Sequence, residues 1–157
     1  RTATARDLDA LTAVEAACFP AAEAATREEL AERLRAYGDH FWLLFDGETL
    51  VSFVDGMVTD LPDLTDEMYA DTSFHDENGA WQMIFGVNTL PAYRKQGFAG
   101  RLLERAIADA KAQGRKGLVL TCKDRLVHYY AKFGFVNEGV SESVHGGVTW
   151  YQMRLTF

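Results

Sequence analysis

Apolar and polar positions along the chain follow two periods. Leu102, Leu103, Ala106, Ile107 and Ala110 recur at helical spacing, with Arg101, Glu104, Arg105 and Asp109 on the other face. An amphipathic helix is expected there. "TREELAERLRAYG" predicts another, with Thr26 and Glu29 as its capping box and Gly38 as its stop. "RTATARDLDALTAVEAACF" reads as a short strand running into a helix. Thr4 and Asp7 have capping-box spacing there, and Leu8, Leu11 and Ala16 mark its buried face.

Other stretches carry strand patterns. "HFWLLFDGETLVSFVDGMV" predicts a hairpin, its two apolar runs joined by Asp46-Gly47, the favoured type I′ pair. "AWQMIFGV" is a strong apolar strand ending near Val87, and "KGLVLTC" a short buried one. "KDRLVHYYAKFG" predicts a helix capped by Asp124 and stopped by Gly134. "FVNEGV" and "VTWYQMRLTF" close the chain as antiparallel strands. From Thr59 to Gly79 the sequence is polar and acidic, a long loop with one short helix around Asp66–Ala70. The order β-α-α-β-β-loop-β-α-β-α-β-β describes a mixed α/β sandwich over residues 1–157 as a single domain. The two strand-helix units from Trp81 onward favour parallel pairing at the centre of the sheet.

Composition narrows the class. At 157 residues with 48% hydrophobic content, the chain can bury a core of its own. A net charge of −7 argues against non-specific nucleic-acid binding. No apolar run approaches a membrane span, and the first residues lack the apolar core of a secretory leader. Two isolated cysteines, Cys18 and Cys122, imply neither a disulfide framework nor a metal site. The expectation is a cytoplasmic protein with no metal and no membrane or nucleic-acid partner.

One corner of this acidic chain is positive. "YRKQGFAGRLLERAI" sets Arg94, Lys95, Gly97 and Gly100 directly ahead of the amphipathic helix, whose first turn has no Ser, Thr, Asp or Asn cap. Free amides, aligned peptide dipoles and flanking cations together suit a phosphate group. The stretch is neither a P-loop nor a dinucleotide fingerprint, because the required glycine and lysine spacings are missing.

"VNTLPAYRKQGFAG" resembles the Arg/Gln-x-x-Gly-x-Gly/Ala signature of the GNAT acetyltransferase superfamily, at Arg94, Gly97 and Ala99. "HYYAKFGF" is similar to the superfamily's Tyr-x-x-x-Gly-Phe ending, and the order of elements agrees over essentially the whole chain. "LTCKDRLVHYYAKFGF" and "GGVTWYQMRL" further resemble the arylalkylamine N-acetyltransferase branch. The resemblance implies a mixed, mostly antiparallel sheet whose parallel central strands splay at the acetyl-CoA site, flanked by about four helices. It implies acetyl-CoA as cosubstrate, its pyrophosphate wrapped by Arg94, Lys95, Gln96, Gly97, Phe98, Ala99 and Gly100. Main-chain groups at Phe85, Gly86 and Val87 would hold the acetyl and pantetheine arm at a strand bulge. Dimers are frequent in the superfamily, which leaves a homodimer open.

Acetyl transfer to an amine needs a neutral amine, a stabilised oxyanion and a proton for the departing thiolate. A primary amine of pKa about 10.4 gives up its proton at pH 7 at a cost of roughly 4–5 kcal/mol, so a proton acceptor helps. The resemblance makes Tyr130 the general acid. It places Phe19, Trp81, Met83 and Trp150 at the acceptor pocket. Trp81 and Met83 stand where the arylalkylamine branch carries a histidine pair, so the proton acceptor is left unnamed. His75, Asp76, Glu77 and His145 are the nearby candidates, each also readable as a solvated loop residue. Cys122 could approach the coenzyme sulfur or simply pack as a small apolar residue. The reading is an N-acetyltransferase for a small primary amine, arylalkylamine or polyamine-like. Alternatives are a protein or peptide amino-group acetyltransferase and a non-catalytic acyl-CoA-binding module.

Overall fold

The computed structural model describes residues 1–157. Two sheets lie end to end. The first has the order β1-β2-β5, from Phe41–Asp46, Thr49–Asp55 and Gly86–Thr89. The second has the order β3-β4-β6-β8-β7, from Val58–Thr59, Trp81–Ile84, Gly117–Cys122, Tyr151–Thr156 and Val136–Val140. Every pairing is antiparallel except β4 with β6. Helices α1 (Leu8–Cys18) and α2 (Arg27–Tyr37) cover one face, and α4 (Phe98–Ala112) covers the other. Helices α3 (Glu67–Ala70) and α5 (Val127–Ala131) are short.

Burial follows from the patterning. On α4, Leu102, Leu103, Ala106 and Ala110 are buried against Trp42, Val54, Ile84, Leu118, Leu120 and Met153. On the opposite face, Leu11 and Val14 of α1 and Leu30 of α2 meet Phe41, Leu43, Phe53, Met83 and Val119. A sheet with apolar side chains on both faces needs a helix layer on each, and the amphipathic stripes supply them. The Thr26–Glu29 capping box forms as expected at the start of α2. No helix is long and apolar enough to cross a membrane.

Three local expectations are corrected. The N-terminal segment is not a strand: Thr2 makes one bridge opposite Trp42, and the chain then turns into a 3₁₀ segment at Ala5–Asp7. The hairpin turn is Gly47–Glu48, because Asp46 pairs with Thr49 inside the ladder. Positive φ falls on Gly47 (60°) and not on Asp46, which fits a turn with glycine at its first central position. Asp124 lies within the first turn after Lys123, and no side-chain cap bond forms there.

The feature that positions the site is a break at Phe85. Up to Ile84 the strand pairs with β6, ending at Ile84–Leu120. Beyond Phe85, β5 pairs with β2 alone, and the Phe85 amide donates to the Asp55 carbonyl at 2.7 Å. Thr121 and Cys122 keep partners only in β8. The two central strands therefore separate, leaving a cleft through the middle of the molecule.

Candidate functional site

Two cavities meet in that cleft. The outer groove runs along the start of α4 and is lined by Arg94, Lys95, Gly97, Phe98, Ala99 and Gly100, with Arg125 and Tyr129 opposite. The inner pocket lies under the α1–α2 connection, against Phe85, Gly86, Thr121, Cys122, His145 and Trp150. Phe19, Val87, Leu126 and Tyr130 line both, so they form the passage between them.

The outer groove has the features of an anion site. Backbone N–H groups from Lys95 through Gly100 donate to no group of the chain, and the helix start lacks a side-chain cap. Gly97 holds φ at 80°, a left-handed conformation that glycine adopts without penalty, and Lys95 is also left-handed at 64°. Arg94 fixes the loop to the strand end by donating from Nε to the Thr89 carbonyl at 3.1 Å. Arg125 adds a cation that the sequence motif did not indicate. Gln96 belongs to the loop but does not line the groove. Gly100 has a packing role as well, since a Cβ there would meet the Phe133 ring at 3.2 Å.

Tyr130 is 7% exposed and Tyr129 only half-buried. Burial, with Cys122 and Tyr129 nearby, pushes the Tyr130 phenol far above its ordinary pKa. Burial thus keeps the phenol in its protonated form near neutral pH. Burial likewise pushes the Cys122 thiol up to about 11, and its Sγ faces Met153 Sδ at 3.6 Å. A thiol kept protonated is a poor nucleophile.

Of the expected acceptor residues, Phe19 and Trp150 line the inner pocket; Trp81 and Met83 do not. Met83 is fully buried with Met57, Leu64 and Met68, because the segment between β3 and β4 folds across that face and seals it. Trp81 lies under the Arg154 guanidinium at 4.6 Å, at the far end of β4. His75 and Glu77 are also elsewhere. They join a cluster in which Glu77 meets His40 at 2.9 Å, His75 at 3.1 Å and Arg115 at 3.1 Å. His40, His75 and Glu77 lie close enough to share a cation. However, His75 Nδ1 accepts from the Val58 amide, so its Nε2 carries the proton that faces Glu77.

The inner pocket holds charged residues that the sequence reading missed. Arg33 and Asp55 are 3% and 0% exposed, paired through Nη1 and Oδ2 at 3.3 Å. Arg33 Nη2 donates to the Tyr69 carbonyl at 2.9 Å, while Arg33 Nε and Asp55 Oδ1 have no partner. Burial outweighs the adjacent guanidinium and pushes the Asp55 carboxyl up to about 7. Glu15 accepts from the Ala25 amide at 2.9 Å and from Asn88 at 3.0 Å. With Glu23 and Glu29, four carboxyl groups line this pocket beside one guanidinium. A signal existed: Leu30, Arg33, Leu34 and Tyr37 share the buried stripe of α2, and Glu15 shares that of α1 with Leu11 and Val14.

His145, a loop residue in sequence, faces this pocket. Its Nε2 lies 2.9 Å from the Glu23 carbonyl, its own carbonyl accepts from Trp150 Nε1 at 2.7 Å, and its ring stacks on Tyr69 at 5.0 Å.

Residues 7–157 match the sequence profile of the acetyltransferase (GNAT) domain. Among solved structures, the GphF GNAT-like decarboxylase in complex with isobutyryl-CoA superposes with a TM-score of 0.85 at 26% identity, over 99% of this chain and 97% of that one. The loading GNATL domain of CurA from Lyngbya majuscula gives 0.85 at 19% identity, over 99% and 96%. A GNAT-family acetyltransferase from Streptococcus pneumoniae gives 0.73 at 22% identity, over 100% and 97%.

Proposed function

Because the chain belongs to the GNAT family of acetyltransferases, we propose that it transfers acetyl from acetyl-CoA to the primary amine of a small molecule by direct attack. The carrying observation is the position of Tyr130, a buried phenol in the passage that joins the outer groove to the inner pocket. The unpartnered amides of Lys95 to Gly100, with Arg94, Lys95 and Arg125, suit the diphosphate of the coenzyme. The break at Phe85 gives the acyl arm a route between β5 and β6 toward the pocket. Tyr130 then supplies the proton that the departing sulfur needs. Direct attack needs no acyl group on Cys122, whose thiol is buried against Met153.

The acceptor side favours a compact cation. Carboxyl groups of Glu15, Glu23, Glu29 and Asp55 line the pocket beside one guanidinium, Arg33, and Phe19 and Trp150 add apolar walls. An ammonium on an aromatic or aliphatic stem matches that lining better than a peptide, which needs an open groove. Purified protein should release thiol from acetyl-CoA in the presence of an arylalkylamine or a polyamine. Release with a lysine peptide alone would replace the small-molecule reading with a protein acceptor.

The buried Arg33 favours a second reading. A guanidinium with an unpartnered Nε could hold the carboxylate of a carboxyacyl-CoA, and GphF, which shares the fold, is described as a decarboxylase. Release of carbon dioxide from malonyl-CoA without any amine separates the two readings.

A further inference from the structure

The proposed transfer lacks a proton acceptor, and one imidazole lining the pocket, His145, has a ring nitrogen that no protein group occupies. We propose that His145 Nδ1 takes the proton from the acceptor ammonium, an inference that rests on the transferase reading above. The tautomer follows from the bonding. A carbonyl oxygen only accepts, so the 2.9 Å contact between Nε2 and the Glu23 carbonyl places the imidazole proton on Nε2. Nδ1 is left with a bare lone pair and no protein partner.

The ring is held on several sides. Tyr69 stacks on its face at 5.0 Å with the planes 7° apart, and Trp150 Nε1 donates to the His145 carbonyl at 2.7 Å. The preceding residues are fixed by Asp66, which accepts from the Val144 amide at 2.9 Å and from the Ser143 hydroxyl. Such anchoring in a loop resembles the support that catalytic imidazoles need. Tyr69 also lies against Phe85, ring centroids 4.6 Å apart, so His145 approaches the strand break through one intervening ring. The charged and titratable groups facing the pocket with it are Glu15 from α1, Glu23 before α2, Glu29 and Arg33 from α2, Asp55 from β2, Tyr69 from α3, Cys122 from β6 and Tyr130 from α5. Glu23 is paired with Lys123 at 3.0 Å.

The step balances. One ammonium proton passes to His145 Nδ1, and the freed nitrogen lone pair forms the C–N bond at the thioester carbon. As the C–S bond breaks, sulfur takes the Tyr130 proton. The second proton on the new amide nitrogen returns to Tyr130, and His145 releases its proton to water.

The test compares His145→Gln with wild type on two acceptors: an alkylamine, charged at pH 7, and an arylamine, already neutral there. For the alkylamine, kcat/KM should fall about 10²-fold or more, while the arylamine stays within a few-fold and coenzyme affinity is unchanged. Equal losses for both acceptors, or no loss, would overturn the role of His145 while leaving the transferase reading in place. Wild-type protein that acetylates no amine would overturn both. Nitrogen-15 spectra of the wild-type protein need no variant: a proton on Nε2 and none on Nδ1 is expected, and the opposite tautomer would refute the assignment.

Discussion

At the scale of single residues, environment separates groups that look alike in sequence. Tyr129 and Tyr130 are neighbours, yet Tyr130 alone is buried and lines both cavities. On the proposed transferase reading its buried phenol is the proton donor for the departing sulfur. Tyr130→Phe should lower kcat on the order of 10²–10⁴-fold while coenzyme affinity stays unchanged, as read by steady-state kinetics beside calorimetric titration. An unaltered kcat would remove Tyr130 from the chemistry. Arg33 and Asp55 show why part of the site was hidden. Arg33 and Asp55 lie 22 positions apart on different elements, and the helical stripe that carries Arg33 does not say what it packs against. Only the fold places α2 over β2 and buries both.

At the scale of elements, the start of α4 is where local sequence and function coincide. The absent cap, Gly97 and the adjoining cations were legible because they depend on residues within one turn of each other. Gly97→Trp should weaken coenzyme binding at least 10-fold by titration. The substitution forces a bulky side chain into a left-handed conformation costing roughly 1–2 kcal/mol, beside amides meant for the ligand. Unchanged affinity would sink the pyrophosphate assignment. The strand break at Phe85 was expected only through family resemblance. Periodicity reads "AWQMIFGV" as one strand, since a break changes partners without changing the apolar run. Trp81 and Met83 lie off the inner pocket for a related reason. Their position along β4 was sound, but the segment covering that face has no periodic signal to announce where it folds.

At the scale of the whole molecule, the buried acid in the central cleft ties stability to pH. Asp55 is fully buried, and its carboxyl is pushed up to about 7. A carboxyl whose folded pKa exceeds its unfolded value contributes fully below the unfolded value, and that contribution is lost as pH rises through the folded one. Wild-type protein should therefore lose stability relative to Asp55→Asn as pH rises from about 4 to about 7. Urea unfolding of both proteins across that range measures it; a constant difference would show that Asp55 ionises alike in both states. The passage between the cavities has a consequence of another kind. Phe19, Val87, Leu126 and Tyr130 wall both compartments, so on the proposed transferase reading donor and acceptor would draw on one shared volume. Each methylene added to the acyl chain would then take room from the amine, and the two selectivities would become a single one: bulky acyl groups would restrict the protein to slender acceptors, and acetyl would leave room for the widest range.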